Sequence, residues 1–362
     1  MPVFEELGGE YEEVAFFHDA ATGLRAIVAI HSTLLGPALG GTRFFPYPSE
    51  EAALRDVLRL AKGMTLKAAA AGLDLGGGKA VIIGDPRRLK SEELLRAYGR
   101  FVESLGGRYI TAEDVGTARE DLDVVRRETR WATGISKLLG GSGDPSPVTA
   151  YGVFNGLKAA VQAGLGGKPF ENLHVTVQGV GKVGYHLTKH LVDAGARVTV
   201  ADVDVDAVAR AVKEFGVETA EPEKAHAVGC DVYAPCALGG VIRDDTLPEL
   251  KCRVVAGAAN NQLAGPEHGD ALHEMGVLYA PDFVINAGGL INVADELIGY
   301  DRDRAMKRVE GIYRTLGEVF RRSKTEGVSP ARAAEMMAEE RIEKVSRVRL
   351  LWVPGANDGR RG

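Results

Sequence analysis

Two lysines, Lys67 and Lys79, stand in a small-residue, almost uncharged stretch, KGMTLKAAAAGLDLGGGKAVIIG (residues 62–84), the second directly after three glycines. Apolar surroundings disfavour an ammonium ion, and neighbouring ammoniums disfavour each other, so such a stretch can supply a lysine that titrates low enough to act as a base. Asp114 closes the run RYITAED at a strand end, where a carboxylate could exchange protons with such an amine. The plainer alternatives are a snorkelling helix lysine for Lys67, a solvent-facing strand start for Lys79 and a turn or cap residue for Asp114. No serine-histidine or metal-ligand constellation competes. Cys230, Cys236 and Cys252 lie in apolar runs without CxxC or paired-histidine spacing and read as buried structural thiols.

A second chemistry is written as Gly179-Val180-Gly181-Lys182-Val183-Gly184, between an apolar run HVTVQ and a helical YHLTKHLVDAG. Asp202 ends the next run, RVTVAD, 18 residues after Gly184. In a strand-turn-helix setting these glycines permit a tight turn, close approach of a pyrophosphate to the helix N-terminus, and close helix packing. Asp202 would accept from ribose hydroxyls and repel a 2′-phosphate, which favours NAD over NADP. The alternative is a glycine-rich turn in a non-binding α/β domain.

Elements must hold these groups. LRAIVAI (24–30) reads as a strand, and HSTLLGPALGGTRFFPYP, rich in Gly and Pro, as a loop or irregular edge. Ser49 caps a helix with Leu54, Val57, Leu58, Ala61 and Met64 on one face, and Lys67 falls on that inward face. AVIIG reads as a strand after the glycines, SEELLRAYGRFVESLGG as a helix, and RYIT as a strand. Gly, Ser and Pro cluster at 141–152, which marks a domain boundary, with Pro147 opening a helix. Strands are expected at CDVYAPCA, CRVVAGAANNQ and VLYAPDFVINAGG, whose carboxyl ends place Ala237, Asn261 and Asn286 along a ligand crevice. Beyond Asp301 two helices follow, the second capped by Ser329 with Pro330 first, and then a tail, VPGANDGRRG.

The 362 residues suggest two domains, and 45% hydrophobic with 26% charged residues is ordinary globular composition. A net charge of −6 without a basic cluster argues against a nucleic-acid partner. An acidic N-terminus and no apolar run of spanning length argue for a cytoplasmic protein without a membrane partner.

GPALGGTRF, KGMTLKAAAAG, LGGGKAVIIGDP, ITAEDVGT, PSPVTAYG, QGVGKVGYHL, APCALGG, AANNQL and APDFVINAGGLINVADEL, in this order, resemble the superfamily of glutamate, leucine, valine and phenylalanine dehydrogenases, its leucine branch above all. The resemblance implies an α/β fold of two domains about a deep cleft: a substrate and oligomerisation domain (1–140, with a helix at about 328–350 packing back), a Rossmann-type domain (141–327) and a tail (351–362). It implies reversible oxidative deamination of an L-amino acid with NAD, in a homo-oligomer, an octamer by family habit. By motif, Lys67 matches the holder of the substrate carboxylate, Lys79 the acid/base that activates water, and Asp114 the partner in proton transfer at the amino group. Lys67 is expected to stay protonated and Lys79 to titrate low. The substrate side chain would meet Leu39, Gly40, Met64, Ala112, Leu290 and Val293. The cofactor would meet Thr149, the Gly179–Gly184 loop, Asp202, Val203, Cys236, Ala237, Ala259, Asn261 and Asn286.

Leu39 stands where glutamate dehydrogenases resemble one another in a lysine that meets the side-chain carboxylate. A buried glutamate side chain would have no partner there, which excludes glutamate as main substrate. Ala112 resembles the branched-chain enzymes and Leu290 the phenylalanine enzymes; leucine, valine and isoleucine are favoured, phenylalanine is the alternative, and a non-catalytic NAD sensor is the rival from another class.

Overall fold

A computed structural model describes Leu7 and residues 9–348; the expected tail at 351–362 and the end of the helix expected to 350 lie outside them. Two sheets organise the chain. The first contains β1 (Glu13–Asp19), β2 (Leu24–Ser32), β3 (Ala38–Phe45), β4 (Gly76–Ile83) and β5 (Tyr109–Glu113) in the order β1-β2-β4-β3-β5. β1 and β2, and β2 and β4, run antiparallel; β3 runs parallel to both β4 and β5.

Two expectations fail here. The Gly- and Pro-rich segment expected as a loop or irregular edge contains β3, a central strand, and β4 begins at Gly76, so the three glycines and Lys79 are strand residues rather than a lead-in. The reason is contact. A Cβ at Gly40 would meet the Gly78 carbonyl oxygen at 1.7 Å, and one at Gly77 would meet the Thr65 backbone nitrogen at 2.1 Å. Glycine here permits close packing, which composition alone reads as irregularity.

The Glu50–Ala70 helix covers this sheet, burying Ala53, Leu54, Val57, Leu58 and Ala61, with the Ser49 side chain accepting from the Ala52 N–H. The Glu92–Ser104 helix, capped by Ser91, packs the other face through Leu94, Leu95, Tyr98 and Val102.

The second sheet is wholly parallel. β6 (His174–Gln178), β7 (Arg197–Ala201), β8 (Glu218–Thr219), β9 (Val232–Pro235), β10 (Val254–Val255) and β11 (Leu278–Tyr279) lie in the order β11-β10-β9-β6-β7-β8. The order reverses at β6, so a ligand crevice opens beyond the carboxyl ends of β6 and β9, as in Rossmann-type folds. The strand expected through VLYAPDFVINAGG stops at Tyr279; the rest forms short helices, Asp282–Ile285 and Gly288–Asp295. Apolar runs do not by themselves separate buried helix from buried strand. Pro147 is the second residue of the Ser146–Gly164 helix, not the first.

The long Arg302–Glu326 helix packs on the Ser146–Gly164 helix through Ile312 and Leu316, which crowd Gly152 and Gly156. The Pro330–Val348 helix then returns to the first sheet's helix, where Ala338, Ile342 and Val345 meet Leu35, Leu66 and Ala69, and Arg341 donates to the Leu73 carbonyl at 2.7 Å. Of the thiols, Cys252 is buried and Cys230 and Cys236 half-buried. Among the described residues no helix is long and apolar enough to cross a membrane.

Candidate active site

Lys79 on β4 and Asp114 just past β5 meet in an ion pair of 2.7 Å, Nζ to Oδ2. The lysine is 7% exposed. The Asp114 backbone N–H donates to Thr117 Oγ1 at 2.9 Å, and that hydroxyl donates to the Thr42 carbonyl at 2.9 Å, so the turn carrying Asp114 is tied to β3. Burial pushes the Asp114 carboxyl up, but Lys79 and then Arg43 pull harder, and the group is held below the usual carboxylate range.

Lys67, in the last turn of its helix, is half-buried, and its Nζ donates to Asn260 Oδ1 at 3.2 Å, on the loop after β10. Burial pulls the Lys67 ammonium down to about 8; Asp282 raises it, Lys79 lowers it further and Asp114 raises it. Asp282 is itself pushed up by burial while Lys67 pulls it back. The lowered titration belongs to Lys67, which among the described residues has an amide oxygen and no carboxylate within bonding reach.

Around these groups the surface is apolar. Leu39 (1% exposed) lies on β3 opposite Ile110 of β5 and shares a core with the buried Leu290 and Val293 and the half-buried Met64; Ala112 on β5 is buried as well. A Cβ on Gly134 would lie 3.9 Å from Val293 and 4.0 Å from the Glu113 side chain, so the Gly288–Asp295 helix abuts the end of β5. Thr149 packs against that helix, since a Cβ on Gly289 would meet its hydroxyl at 2.7 Å.

At the carboxyl end of β6, Gly179 has φ +99°, and a Cβ there would strike Ala237 at 2.7 Å, which brings the ends of β6 and β9 into contact. Gly184 sits so close to Gly179 that a Cβ would lie 1.9 Å from its carbonyl oxygen, whereas around Gly181 nothing lies within 4 Å. The Lys182–Asp193 helix starts from Gly181 with no side-chain cap, leaving its first N–H groups directed at the crevice. Val180 is buried, Val183 half-buried, Lys182 exposed and Val203 81% exposed. Asp202 accepts from the Val180 and Asp204 N–H groups at 2.7 and 3.0 Å, which fixes its carboxylate at the end of β7.

Comparison with known proteins gives the same outline. A family model described as Glu/Leu/Phe/Val dehydrogenase, dimerisation domain, matches residues 12–131, and one described as Glutamate/Leucine/Phenylalanine/Valine dehydrogenase matches 140–207 and 201–349. The chain belongs to the Glu/Leu/Phe/Val dehydrogenase family. It is 56% identical to a leucine dehydrogenase of Bacillus cereus over 99% of this chain and 98% of that one. It is 54% identical to a valine dehydrogenase of Streptomyces coelicolor over 94% of each. Among solved structures, the L-tryptophan dehydrogenase of Nostoc punctiforme superposes with a TM-score of 0.84 at 45% identity, covering 95% of this chain and 99% of that one.

Enzymes of this family use a nicotinamide dinucleotide, NAD or NADP, and the residues present fit one. The uncapped helix start and the open space at Gly181 suit a pyrophosphate. Asn286, 4% exposed, donates to the Ala258 carbonyl at 3.0 Å and to Asn260 Oδ1 at 2.8 Å, while its own Oδ1 has no partner and is free to accept from a ligand. Ala259 is buried and bonded to β9 through the Pro235 carbonyl at 2.9 Å. Asn261 is the one non-glycine residue among the described residues in the left-handed region, φ 51°. Burial pushes the Cys236 thiol up to about 12, so a thiolate role there is unfavourable.

Two residues of the site escaped the sequence reading. Asn260 reaches Lys67, and the doublet in AANNQ was the available signal. Arg43 lies 3.4 Å from Asp114 Oδ2, and the signal was a lone cation closing a glycine-rich run.

Proposed function

We propose that this protein catalyses the reversible, NAD-dependent oxidative deamination of branched-chain L-amino acids, leucine, valine and isoleucine, to the 2-oxo acid and ammonia. The observation that carries this reading is the Lys79–Asp114 ion pair, set beside Lys67 and an apolar wall in front of a dinucleotide loop. A nicotinamide dinucleotide held by the Gly179–Gly184 loop and Asp202 would supply the acceptor for a hydride from the substrate α-carbon. Lys67 holds the α-carboxylate. Lys79, as the free amine, takes a proton from the water that attacks the resulting imine carbon, and Asp114 exchanges protons with the departing amino group.

Leu39, Ala112, Leu290 and Val293 offer a side chain apolar contact and no countercharge, which supports an aliphatic substrate and disfavours glutamate. Leu290 is the feature that favours phenylalanine as a second reading. Asp202, fixed by two backbone N–H groups, supports NAD over NADP by repulsion of a 2′-phosphate. The division of labour between residues 1–140 with the returning helix and residues 141–327 belongs to the same proposal, as do a cytoplasmic setting and an octamer; the dimerisation model at 12–131 supports self-association in general.

The test is direct. Purified protein with NAD and a panel of L-amino acids should produce NADH fastest with the branched-chain substrates, and silence with every aliphatic and aromatic amino acid would remove the proposal. Equal rates with NADP would remove the role given to Asp202. Light scattering of the purified protein would read the octamer.

A further inference from the structure

A general base beside a carboxylate poses a question of where the proton rests. If Lys79 gives up its proton, Asp114 is left as a largely buried anion, and in a pair with no other cation that uncompensated charge holds the proton on the pair. Lys79 would then stay an ammonium and could not serve as a base beside an ionised carboxylate. A second, permanent positive charge prevents this.

Arg43 supplies such a charge. Its Nε lies 3.4 Å from Asp114 Oδ2, on the same oxygen that Lys79 approaches to 2.7 Å. The Arg43 Nε is buried and has no aligned acceptor, so its field acts on Asp114 without a hydrogen bond that would lock the carboxylate. A guanidinium does not deprotonate in proteins, so it stays charged whatever Lys79 does.

Its placement is built rather than incidental. Nη1 donates to Asp56 Oδ2 at 2.8 Å, and Asp56 is held in turn by the Tyr47 hydroxyl at 2.6 Å and Arg59 at 2.9 Å. The main chain cooperates. A Cβ on Gly41 would lie 2.4 Å from the Glu113 carbonyl oxygen and 2.9 Å from Asp114 Cβ, so only glycine lets β3 bring Arg43 this close.

The charged groups facing the pair come from every neighbouring element. β3 contributes Arg43; the Glu50–Ala70 helix contributes Lys67 and, behind Arg43, Asp56. Glu113, next to Asp114 in the chain, is acted on by Lys182, Asp144, Arg119 and Glu120, and Asp282 acts on Lys67. Of the cations among these, Arg43 and Lys79 act most strongly on the Asp114 carboxylate.

We infer that Arg43, anchored by Asp56, is a positioning residue whose fixed charge keeps Asp114 ionised while Lys79 is the neutral base, so that the two groups keep separate proton-transfer duties. The inference rests on the deaminating function proposed above. Loss of Arg43 leaves Lys79 the main cation on Asp114 and relieves its repulsion from a neighbouring cation; both effects make the Lys79 ammonium harder to deprotonate.

The test compares wild type, Arg43→Met, Arg43→Lys and Asp56→Asn as full-length proteins. Two readouts are followed across pH: kcat/KM for deamination of L-leucine, and acetylation of Lys79 by trace acetic anhydride, read by peptide mass spectrometry. NADH binding by fluorescence reports that each variant is folded. In Arg43→Met the acid limb of the profile should move up by about one pH unit, roughly a tenfold loss on that limb, with the alkaline plateau largely kept. The labelling midpoint of Lys79 should move the same way, Asp56→Asn should move both readouts less, and Arg43→Lys should restore part of the shift. An unmoved limb and midpoint in Arg43→Met, or a loss of rate equal at every pH, would overturn the inference. Should Arg43→Met not bind NADH, an unmoved midpoint in Asp56→Asn would overturn it equally. A wild type that oxidises no amino acid would fail the proposed function, whereas the labelling midpoints would still decide the role of Arg43.

Discussion

The Lys67 ammonium and the Asn260 amide oxygen, 193 residues apart in the chain, meet at 3.2 Å across the line between the two sheets. The contact gives the lysine one neutral acceptor in a largely desolvated place, which is why its ammonium is pulled down to about 8. A ligand carboxylate would supply the missing countercharge.

Binding of a carboxylate should therefore depend on the protonation of Lys67. An unreactive branched aliphatic carboxylic acid, which has no titrating amine of its own, should inhibit well at neutral pH and lose affinity as pH rises through about 8, where the free enzyme's Lys67 becomes neutral. Inhibition constants measured between about pH 6 and pH 10 check this, and a constant affinity over that range would contradict the assignment.

Lys67 also bears on stability. Its ordinary value of 10.5 falls to about 8 on folding, so the folded protein carries a strained ammonium at neutral pH, and the strain disappears only as pH rises through that interval. Lys67→Met should raise the Tm of the ligand-free protein at pH 7 while abolishing turnover, and the gain should vanish above about pH 10.5. Calorimetry at the two pH values measures both arms.

Replacement of Lys79 by Ala should lower kcat by about 10²–10⁴-fold, the usual worth of a positioned general base, and leave NADH affinity unchanged. Retention of more than a tenth of the wild-type rate would remove Lys79 from the proton transfer. The variant also leaves Asp114 with Arg43 alone, so a fall in Tm is expected beside the kinetic loss.

The glycines of the dinucleotide loop should separate cleanly. Gly181→Ala adds a methyl where nothing lies within 4 Å, so the protein should keep its Tm but lose NADH affinity, because the methyl occupies the space the pyrophosphate needs. Gly184→Ala drives a methyl to 1.9 Å from the Gly179 carbonyl and should lower Tm and affinity together. Thermal scans with fluorescence titrations distinguish the two cases.

Ala112→Gly should widen the side-chain site and move relative kcat/KM from leucine toward phenylalanine by about 10–100-fold, the range that one or two methylenes can change. An unchanged ratio would show that Ala112 does not line the substrate side chain.

Local chemistry and local periodicity were legible in the amino-acid order. The inward stripe of Leu54, Val57, Leu58 and Ala61, the serine caps at 49 and 91, and the loop from Gly179 to Gly184 with Asp202 after it each depend on residues a few positions apart, and short-range sterics and hydrogen bonding dictate them. β3 and the glycines of β4 were misread because their glycines answer to backbone atoms of other strands, a demand that composition does not record.

The pairings that make a site of these groups came only with the tertiary structure. Lys79 reaches Asp114 because β3 lies between β4 and β5, Arg43 reaches the same carboxylate because Gly41 lets β3 approach it, and Lys67 reaches Asn260 because the second sheet ends opposite the first. The sequence by itself determined which residues could do the chemistry. Which lysine would be left without a countercharge was decided by distance and desolvation, and those exist only once the chain has folded.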